Sequence, residues 1–364
     1  MVIKIETSVS TPDGVRAFLT QLLDEARVDA VLVACTTPYS RLPMPTLVTD
    51  PAILERAVPL APAAPFNAAR MAARVLARET GKTIAVVLRP CEVRALIELQ
   101  KLSQSTLVPA IVISMDCYGR MENDGYLEFA AGPDAPENRF LASADRHETI
   151  CSSCRACLHF VPEQIDVAIC LAGDKENRGL TLSAQSTRGQ TLLKSLAAEA
   201  GELPSGRRAA LDRIMALRQA HRDEMTADAA ARMADMAAFQ RVIANCLNCY
   251  NCRTACPVCY CRECVFNTDV FAHRPEILIG RAMKTGAVKI PTDTTMFHLT
   301  RMAHMAHACV GCGQCSSVCP SHIPVAELFI TVAQNVQDHY GYTPGQDPRR
   351  PWPFLMPEAD NHET

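Results

Sequence analysis

The sequence lacks any long hydrophobic run, and this absence argues against a membrane-spanning protein. Its longest apolar stretches, such as residues 85–88 and 110–114, have the length of strands and are too short to cross a bilayer, so we expect no membrane span. The first residues, MVIKIETSVSTPDG, contain neither a basic segment nor an apolar core. We therefore expect no signal peptide and a cytoplasmic location.

A strong charge of one sign is also missing. The 36 Lys and Arg residues nearly balance the 39 Asp and Glu residues, so the net charge is -3 and no nucleic-acid partner is expected. The chain has no G-x-G-x-x-G fingerprint, which leaves ordinary dinucleotide binding unsupported. No constellation of nucleophile and general base stands out, and this disfavours a hydrolase.

Cysteine, in contrast, is abundant, with 18 residues in a chain of 364. The cysteines occur in runs two or three residues apart, a spacing that suits one metal or cluster better than disulfides within the run. A reducing compartment and metal ligation fit together, because disulfides are rare there.

The strongest signal is a pair of motifs at residues 246–257 and 309–320, each of the form C-x2-C-x2-C-x3-C-P. This is the pattern of bacterial ferredoxins, in which the fourth cysteine of each run binds the other cluster. Zinc motifs use separate C-x2-C pairs instead. Gly311 and Gly313 let the second loop close tightly. We predict two 4Fe-4S clusters, one held by Cys246, Cys249, Cys252 and Cys319, the other by Cys309, Cys312, Cys315 and Cys256.

Three further cysteines, Cys259, Cys261 and Cys264, open the insert between these motifs. They could hold part of a fourth cluster, or they could be buried small side chains that shield a neighbouring cluster. His298, His304 and His307 precede the second motif. For these histidines, hydrogen bonds to a cluster or plain packing are favoured over ligation.

A separate triplet, Cys151, Cys154 and Cys157, lacks the C-x3-C-P completion. A cubane there needs a fourth thiolate, and the alternatives are a zinc site or a redox pair. The candidates for the fourth thiolate are Cys117, Cys170, Cys91 and Cys35. Cys117 is favoured because it follows a predicted strand, at the carboxyl edge of the sheet where open α/β folds bind ligands.

The pattern of apolar runs predicts the domain organisation. Strands at 28–34, 83–88, 108–114 and 165–171 alternate with helices at 15–26, 64–79 (ended by Gly81) and 91–102, which is typical of an α/β sheet covered on both faces. We predict an α/β domain over 1–185, a helical connector with a solvated face over 186–240, a ferredoxin-like domain over 241–340 that is α+β or α-helical, and an extended tail over 341–364. A further helix is expected at 321–339.

The segment LRPCEVRAL at residues 88–96 resembles the (T)-P-C-Q-V-x-A-L turn of the deazaflavin-coenzyme hydrogenase/dehydrogenase beta-subunit family. Two more landmarks follow in the family's order: SMDCYG at 114–119, and the Cys151 triplet with its Asp166-containing strand. The resemblance covers residues 65–180, and formate-dehydrogenase-type members also carry a two-cluster ferredoxin module. Arg-Pro replaces the commoner Thr-Pro, and the first 60 residues are unmatched, so the carrier's identity stays open.

The resemblance implies an FAD-binding fold with a 4Fe-4S cluster beside the flavin. It also implies that Arg89, Pro90, Cys91 and Glu92 contact the flavin, where a plain strand-to-helix connection is the alternative. The expected function is then an electron-transfer subunit of an oxidoreductase complex, which exchanges a hydride with a soluble deazaflavin or nicotinamide carrier and passes single electrons to a partner redox subunit. The alternatives are a flavin-free polyferredoxin-like relay of a heterodisulfide-reductase-type complex and, with less support, a redox sensor.

Overall fold

The computed structural model describes residues 1–105, 110–143, 146–174, 178–196, 199–261, 263–271, 274–290 and 293–353. Within these residues, eight strands form one sheet in the order β3-β2-β4-β5-β6-β7-β1-β8. The strands are β1 (Val2–Ser10), β2 (Ala30–Thr37), β3 (Ser40–Val48), β4 (Ile84–Leu88), β5 (Ala110–Met115), β6 (Val167–Ile169), β7 (Arg178–Ala184) and β8 (Glu199–Ala200).

Helices cover the sheet and form most of the remainder. They are α1 (Thr11–Asp24), α2 (Ala69–Val75), α3 (Pro90–Lys101), α4 (Asn123–Ala130), α5 (Pro136–Ala142), α6 (Arg146–Thr149), α7 (Ser152–Arg155), α8 (Thr187–Lys194), α9 (Arg207–Arg232), α10 (Met236–Val242), α11 (Asn251–Thr254), α12 (Pro275–Thr285), α13 (Thr294–Met305), α14 (Gln314–Ser317) and α15 (Val325–His339). Short 3-10 turns occur at Pro51–Arg56, Val265–Asn267 and Asp269–Phe271. Among the described helices, none combines the length and the apolar character that crossing a membrane requires.

The centre of the sheet is parallel, as the alternation of strands and helices predicts. Strands β2, β4, β5 and β6 pair in parallel, whereas β3, β7, β1 and β8 add antiparallel edges. The α/β class is therefore confirmed. The antiparallel strands β1, β3, β7 and β8 were not predicted, because they do not form continuous apolar runs.

Both faces of the central strands are buried. Leu32 and Val86 belong to one hydrophobic cluster, and their neighbours Val33 and Val87 belong to the cluster on the opposite face. The first cluster continues through α3 into the cysteine-rich half of the chain, where it includes Phe329. The ferredoxin-like half of the chain therefore packs directly on the helices that cover one face of the sheet. The domain limits given above stay predictions.

Two sequence predictions need correction in detail. The predicted helix at 64–79 is shorter, because α2 runs only from Ala69 to Val75, and Leu76 is its C-cap. Residues 77–82 are exposed or nearly so and offer no apolar face to pack. Gly81 does have a positive φ of 70°, but it lies in the loop and not at the helix end. The first two residues of the predicted strand at 108–114 lie outside the described residues.

The predicted tail lies on the chain's own body as far as residue 353, while residues 354–364 lie outside the described part. Its anchor is Glu98 of α3, whose side chain is fully buried. The carboxylate accepts hydrogen bonds from Tyr342 Oη at 2.8 Å, Gly345 N at 2.8 Å and Trp352 Nε1 at 2.8 Å, and pairs with Lys101 Nζ at 2.9 Å. We call this set of contacts the Glu98 clamp.

A second buried carboxylate, Glu137 of α5, gives a testable pH dependence. Burial raises its pKa to about 6 from an ordinary 4.5, against the opposing effects of Arg16 and of the backbone N–H of Leu60. Because the folded state binds the proton more tightly, this group's stability contribution is complete below pH 4.5 and is lost as the pH rises through about 6. We expect the free energy of unfolding to fall by about 2 kcal/mol across that window.

The measurement is anaerobic urea unfolding at several pH values for the wild type and for Glu137→Gln. In the variant, the free energy of unfolding should no longer show this fall with rising pH, since the amide does not titrate. Glu55→Gln, at an exposed position, is the matched control and should keep the wild-type profile. A Glu137→Gln profile parallel to that of the wild type would contradict the assignment.

Candidate iron–sulfur relay and cofactor site

The structure brings the two ferredoxin motifs together around two cavities. The first has Tyr250, Phe297 and His298 in its wall, in addition to its cysteines. Its cysteines are Cys246, Cys249, Cys252 and Cys319. Three of these come from the first motif and the fourth from the second, which is the arrangement that crossed ligation requires.

The second cavity has the reciprocal composition. Its cysteines are Cys256, Cys309, Cys312 and Cys315. Burial raises the pKa of Cys309 to about 11 and that of Cys312 to about 12. Bare thiols in this cavity therefore stay protonated at neutral pH, and a bound metal centre is what would stabilise their thiolate form.

The two cluster loops share one backbone conformation. Gly311 and Gly313 have φ values of 69° and 75°, and the equivalent positions of the first loop, Asn248 and Tyr250, have values of 50° and 58°. Glycine adopts this left-handed region freely, whereas a tyrosine there must be held by its surroundings. The predicted tight turn is thus present in both loops, although glycine marks it in only one.

Asp293 holds the first loop in this conformation. Its carboxylate accepts hydrogen bonds from Asn248 Nδ2 at 2.6 Å and from Tyr250 Oη at 3.0 Å. The Tyr250 ring also packs against Phe297, with ring centroids 4.7 Å apart. The second loop cannot use a side chain in the same way, because a Cβ on Gly313 would lie 1.8 Å from Ser153 Oγ of the N-terminal triplet.

The N-terminal triplet lies beside the carboxyl ends of β5 and β6. The Sγ atoms of Cys151 and Cys154 are 3.8 Å apart, and the charges of Cys154 and Cys157 contribute to the raised pKa of Cys117. Arg218 of α9 ties the group together, since it donates to the carbonyl oxygens of Cys117 at 3.1 Å and Cys157 at 3.4 Å. Cys117 thus lies where the sequence analysis expected it.

Of the other three candidates for a fourth ligand, one lies near the N-terminal triplet and two interact with other residues. Cys91 is near, because the charges of Cys117, Cys157 and Cys312 add to the effect of burial that raises its pKa. Cys35 interacts instead with Thr46. Cys170 interacts with Arg207 and Asp116. The structure therefore leaves Cys117 and Cys91 as neighbours of the triplet.

The remaining thiols, Cys259, Cys261 and Cys264, do not form a metal site in the described residues. Cys259 interacts with Cys256 and Cys261, and Cys264 lies near Tyr250. Across the described part of the chain, no group of three or more His, Cys, Asp or Glu side chains is set to hold a single metal ion. The ligands of a cubane lie farther apart than those of one ion, so the predicted fourth cluster stays a prediction.

Among the histidines, only His298 approaches a predicted ligand directly in the described contacts. Its Nε2 lies 3.4 Å from Cys246 Sγ, as a hydrogen bond to a cluster ligand would require. The His307 ring packs against Trp352 with centroids 4.4 Å apart, and His304 faces Tyr260 at 6.5 Å. Packing therefore accounts for the latter two, as expected from the sequence.

Buried arginines separate the thiol groups, and sequence reasoning missed them. Arg94 donates to the carbonyl of Val310 at 3.2 Å and interacts with both Cys157 and Cys309. Arg120 donates to Ser317 Oγ at 2.6 Å and interacts with Cys151, Cys154 and Cys312. The triplet, the second cavity and the first cavity therefore form a row. No local pattern marks these arginines, because each contacts cysteines far away in sequence.

The predicted flavin residues lie at the junction of β4 and α3. Arg89 follows the strand and donates to the carbonyls of Ala61 at 2.6 Å and Ala63 at 2.5 Å, whereas its buried Nη1 has no hydrogen-bond partner. Pro90 opens the helix. The Glu92 carboxylate is engaged by the backbone N–H groups of Arg89 at 2.8 Å and Ala68 at 2.9 Å, so its role is to fix this turn.

Two adjoining cavities meet at Arg89. One reaches Ala34 and Val87 near the carboxyl ends of parallel strands, and the other reaches Cys117. Pro59, Arg89 and Met115 line both. This is the edge at which open α/β sheets bind ligands.

A much larger groove continues from the second of these cavities. It has a volume of about 860 Å³ between α9 and the loops after β5 and β6, and Tyr118 and Leu141 line both spaces. Its ionisable side chains include Arg213, Arg218 and His147, with Asp174 as a carboxylate. The groove therefore has a mainly basic lining close to the N-terminal triplet.

Comparison with known proteins finds a matching domain and similar sequences. Residues 242–323 match the model of the 4Fe-4S dicluster domain. The chain is 25% identical over 372 residues to the F420-dependent formate dehydrogenase subunit beta of Methanocaldococcus jannaschii, covering 92% of each chain. It is 26% identical over 301 residues to the F420-dependent formate dehydrogenase 1 subunit beta of Methanococcus maripaludis, covering 74% of each.

A solved structure, the F420-reducing [NiFe] hydrogenase complex from Methanosarcina barkeri, aligns with 65% of this chain and 93% of its own at 14% identity and a TM-score of 0.45. That similarity is too low to carry an argument. The dicluster match confirms the predicted two-cluster module. The sequence relatives are subunits of oxidoreductases, which confirms the prediction of an oxidoreductase subunit. The motifs predicted this relationship, and the chain is similar to beta subunits of F420-dependent formate dehydrogenases and carries a 4Fe-4S dicluster domain, as expected for an iron–sulfur electron-transfer subunit.

Proposed function

We propose that this subunit binds FAD at the carboxyl edge of its sheet and exchanges electrons with a soluble deazaflavin coenzyme. The observation that carries the proposal is the run of cavities that meets at Arg89 and ends beside Cys117. A flavin at this edge would lie next to the thiol triplet. Such proximity is what a conversion between two-electron and one-electron transfer requires.

The residues at this edge fit a flavin. The two spaces adjoin at Arg89 and are lined mainly by apolar side chains, with the Arg89 guanidinium facing both, a composition typical of cofactor sites. The buried Nη1 of Arg89 has no partner within the described chain, and a carbonyl or phosphate oxygen would satisfy it. FAD, when bound, supplies the hydride chemistry, while Arg89 orients the cofactor and the apolar walls exclude water.

The basic groove fits an anionic carrier. Arg213 and Arg218 give it a positive lining beside the site proposed for the flavin, whereas burial lowers the pKa of His147 and keeps that imidazole neutral. Both deazaflavin and nicotinamide carriers are anionic, so charge alone does not choose between them. The names of the relatives, which are F420-dependent enzymes, favour the deazaflavin coenzyme.

The proposed cluster ligands are those brought together around the cavities, with Cys117 completing the triplet. Electrons would pass between the triplet and the second cavity, then to the first cavity. Cys249 in the first cavity is exposed, so this end of the row offers contact with a partner redox subunit. A catalytic subunit of the complex is the proposed partner, and a cytoplasmic location stays a prediction.

The test is anaerobic purification of the full chain, followed by assays of iron, acid-labile sulfide and extractable flavin. Bound FAD that is reduced by the deazaflavin coenzyme supports the proposal. Iron and sulfide without flavin would contradict it and favour the polyferredoxin-like relay. Reduction by a nicotinamide but not by the deazaflavin would overturn the choice of carrier alone.

Arg89 provides a sharper prediction. In Arg89→Met the unpaired donor is lost, and we expect the FAD content to fall at least tenfold, on the order of 1.4 kcal/mol of binding, while iron and sulfide stay at the wild-type level. The readout is the ratio of flavin to iron after desalting. Arg89→Lys, which keeps the charge, should retain more flavin than Arg89→Met.

The exposed Arg56→Met change is the control and should leave the ratio unchanged. Full flavin in Arg89→Met would show that the cofactor does not use this side chain. Because Arg89 also binds two carbonyl groups, thermal unfolding of each variant is measured alongside, and a loss of flavin counts only where the fold is retained.

A further inference from the structure

One residue between the two ferredoxin-like cavities has no counterpart in the sequence analysis. Arg301 of α13 is only 4% exposed. Its Nη1 lies 3.1 Å from Cys252 Sγ, and its Nη2 donates to the Cys252 carbonyl at 3.1 Å. The same side chain lines the second cavity, alongside Cys256 and Cys315.

No described carboxylate pairs with this guanidinium. The ion pairs recorded across the described residues do not include Arg301, and its buried Nε has no hydrogen-bond partner. Its planar group packs on the rings of Phe297 and Phe329, at 5.5 and 4.7 Å from their centroids. Burial of an uncompensated charge is costly, so an anionic group is expected to face Arg301 in the folded protein.

Within the described residues, the groups facing Arg301 that can carry negative charge are cysteine thiolates of the two cavities, as ligands of the proposed clusters. Arg301 interacts electrostatically with Cys252 of the first cavity and with Cys256 and Cys315 of the second. A thiolate-ligated cubane carries net negative charge, which increases when the cluster is reduced. A cation between two such centres stabilises an added electron on either one, and hydrogen bonds to the ligand sulfurs act in the same direction.

We propose that Arg301 is the shared counter-ion of the two ferredoxin-like clusters and raises the reduction potential of both. The proposal rests on the cluster assignment above. Arg301 holds a positive charge between the two clusters and is not itself a ligand of either. The first cluster receives the stronger effect, because the hydrogen bond from Nη1 reaches its ligand Cys252 directly. The arginine also eases the repulsion between electrons held on both clusters at once.

The experiment compares wild type, Arg301→Lys and Arg301→Gln as full chains purified anaerobically. Iron and sulfide are measured first, and the midpoint potentials of both clusters follow from redox titrations monitored by electron paramagnetic resonance. We expect Arg301→Gln to lower both potentials, with a shift of at least tenfold in the reduction equilibrium of the first cluster, about 59 mV for one electron. Arg301→Lys keeps the charge and should shift less.

Arg208→Gln, which removes an exposed arginine of α9, is the matched control and should leave both potentials unchanged. Wild-type potentials in an Arg301→Gln protein with full iron would overturn the proposal. Loss of clusters from both Arg301 variants would also overturn it, because a lysine supplies the proposed charge. A wild-type protein without iron would instead contradict the cluster assignment. Failure of the Arg301 proposal can thus be distinguished from failure of the cluster assignment.

Discussion

Replacing Cys319 with alanine is expected to perturb the same cluster as replacing Cys246, although the two residues belong to different motifs. In each variant the iron content should fall by up to about four atoms per chain, and the reduced proteins should share one remaining resonance spectrum. Cys256→Ala and Cys309→Ala should form the second matching pair. The reason is that each cavity takes three cysteines from one motif and one from the other.

The measurement is iron analysis with resonance spectra of the four variants after anaerobic reduction. Cys35→Ala is the control, since this buried cysteine interacts with Thr46 in the sheet, and its spectra and iron content should equal those of the wild type. A Cys319→Ala spectrum that matched Cys309→Ala would mean that each motif binds its own cluster. Crossed ligation would then be wrong.

The Glu98 clamp should make the largest contribution to holding the tail against α3. Glu98→Ala leaves Lys101 without its counter-charge and removes the acceptor of Tyr342, Gly345 and Trp352. Breaking one partner of a buried ion pair costs about 3–5 kcal/mol. We expect a loss of that size in the free energy of unfolding, measured by anaerobic urea titration with circular dichroism.

Trp352 is the chain's single tryptophan, so its fluorescence reports the clamp separately. In Glu98→Ala the Trp352 emission should indicate greater solvent exposure even before global unfolding. Glu224→Ala, on the exposed face of α9, is the matched control and should change neither signal. A Glu98→Ala protein with wild-type stability and a shielded Trp352 would show that the tail is held by its apolar contacts alone.

The parts of the site that follow from local spacing were predictable from the sequence. Three cysteines separated by two residues define a loop by themselves, and a following Cys-Pro points to the partner motif. The parallel strands β4 and β5 were predictable for a similar reason, because continuous apolar runs between helices indicate a sheet buried on both faces.

The parts that depend on distant contacts were not predictable. Tyr250 adopts the left-handed conformation because Asp293 and Phe297 hold it, and the sequence around Tyr250 carries no sign of that support. Arg301 looks like any charged residue on an amphipathic helix until its burial is seen. The connector helix α9 was expected to have a solvated face, yet it places the buried Arg218 against Cys117 and Cys157.

The Glu98 clamp has a consequence for the order of biosynthesis. Trp352 follows Glu98 by 254 residues, and a ribosome adds about 5–20 residues each second. Trp352 is therefore synthesised on the order of ten seconds or more after Glu98, and the Glu98 carboxylate lacks this partner until then. During that interval the helix offers a charged surface where the finished protein has a buried one.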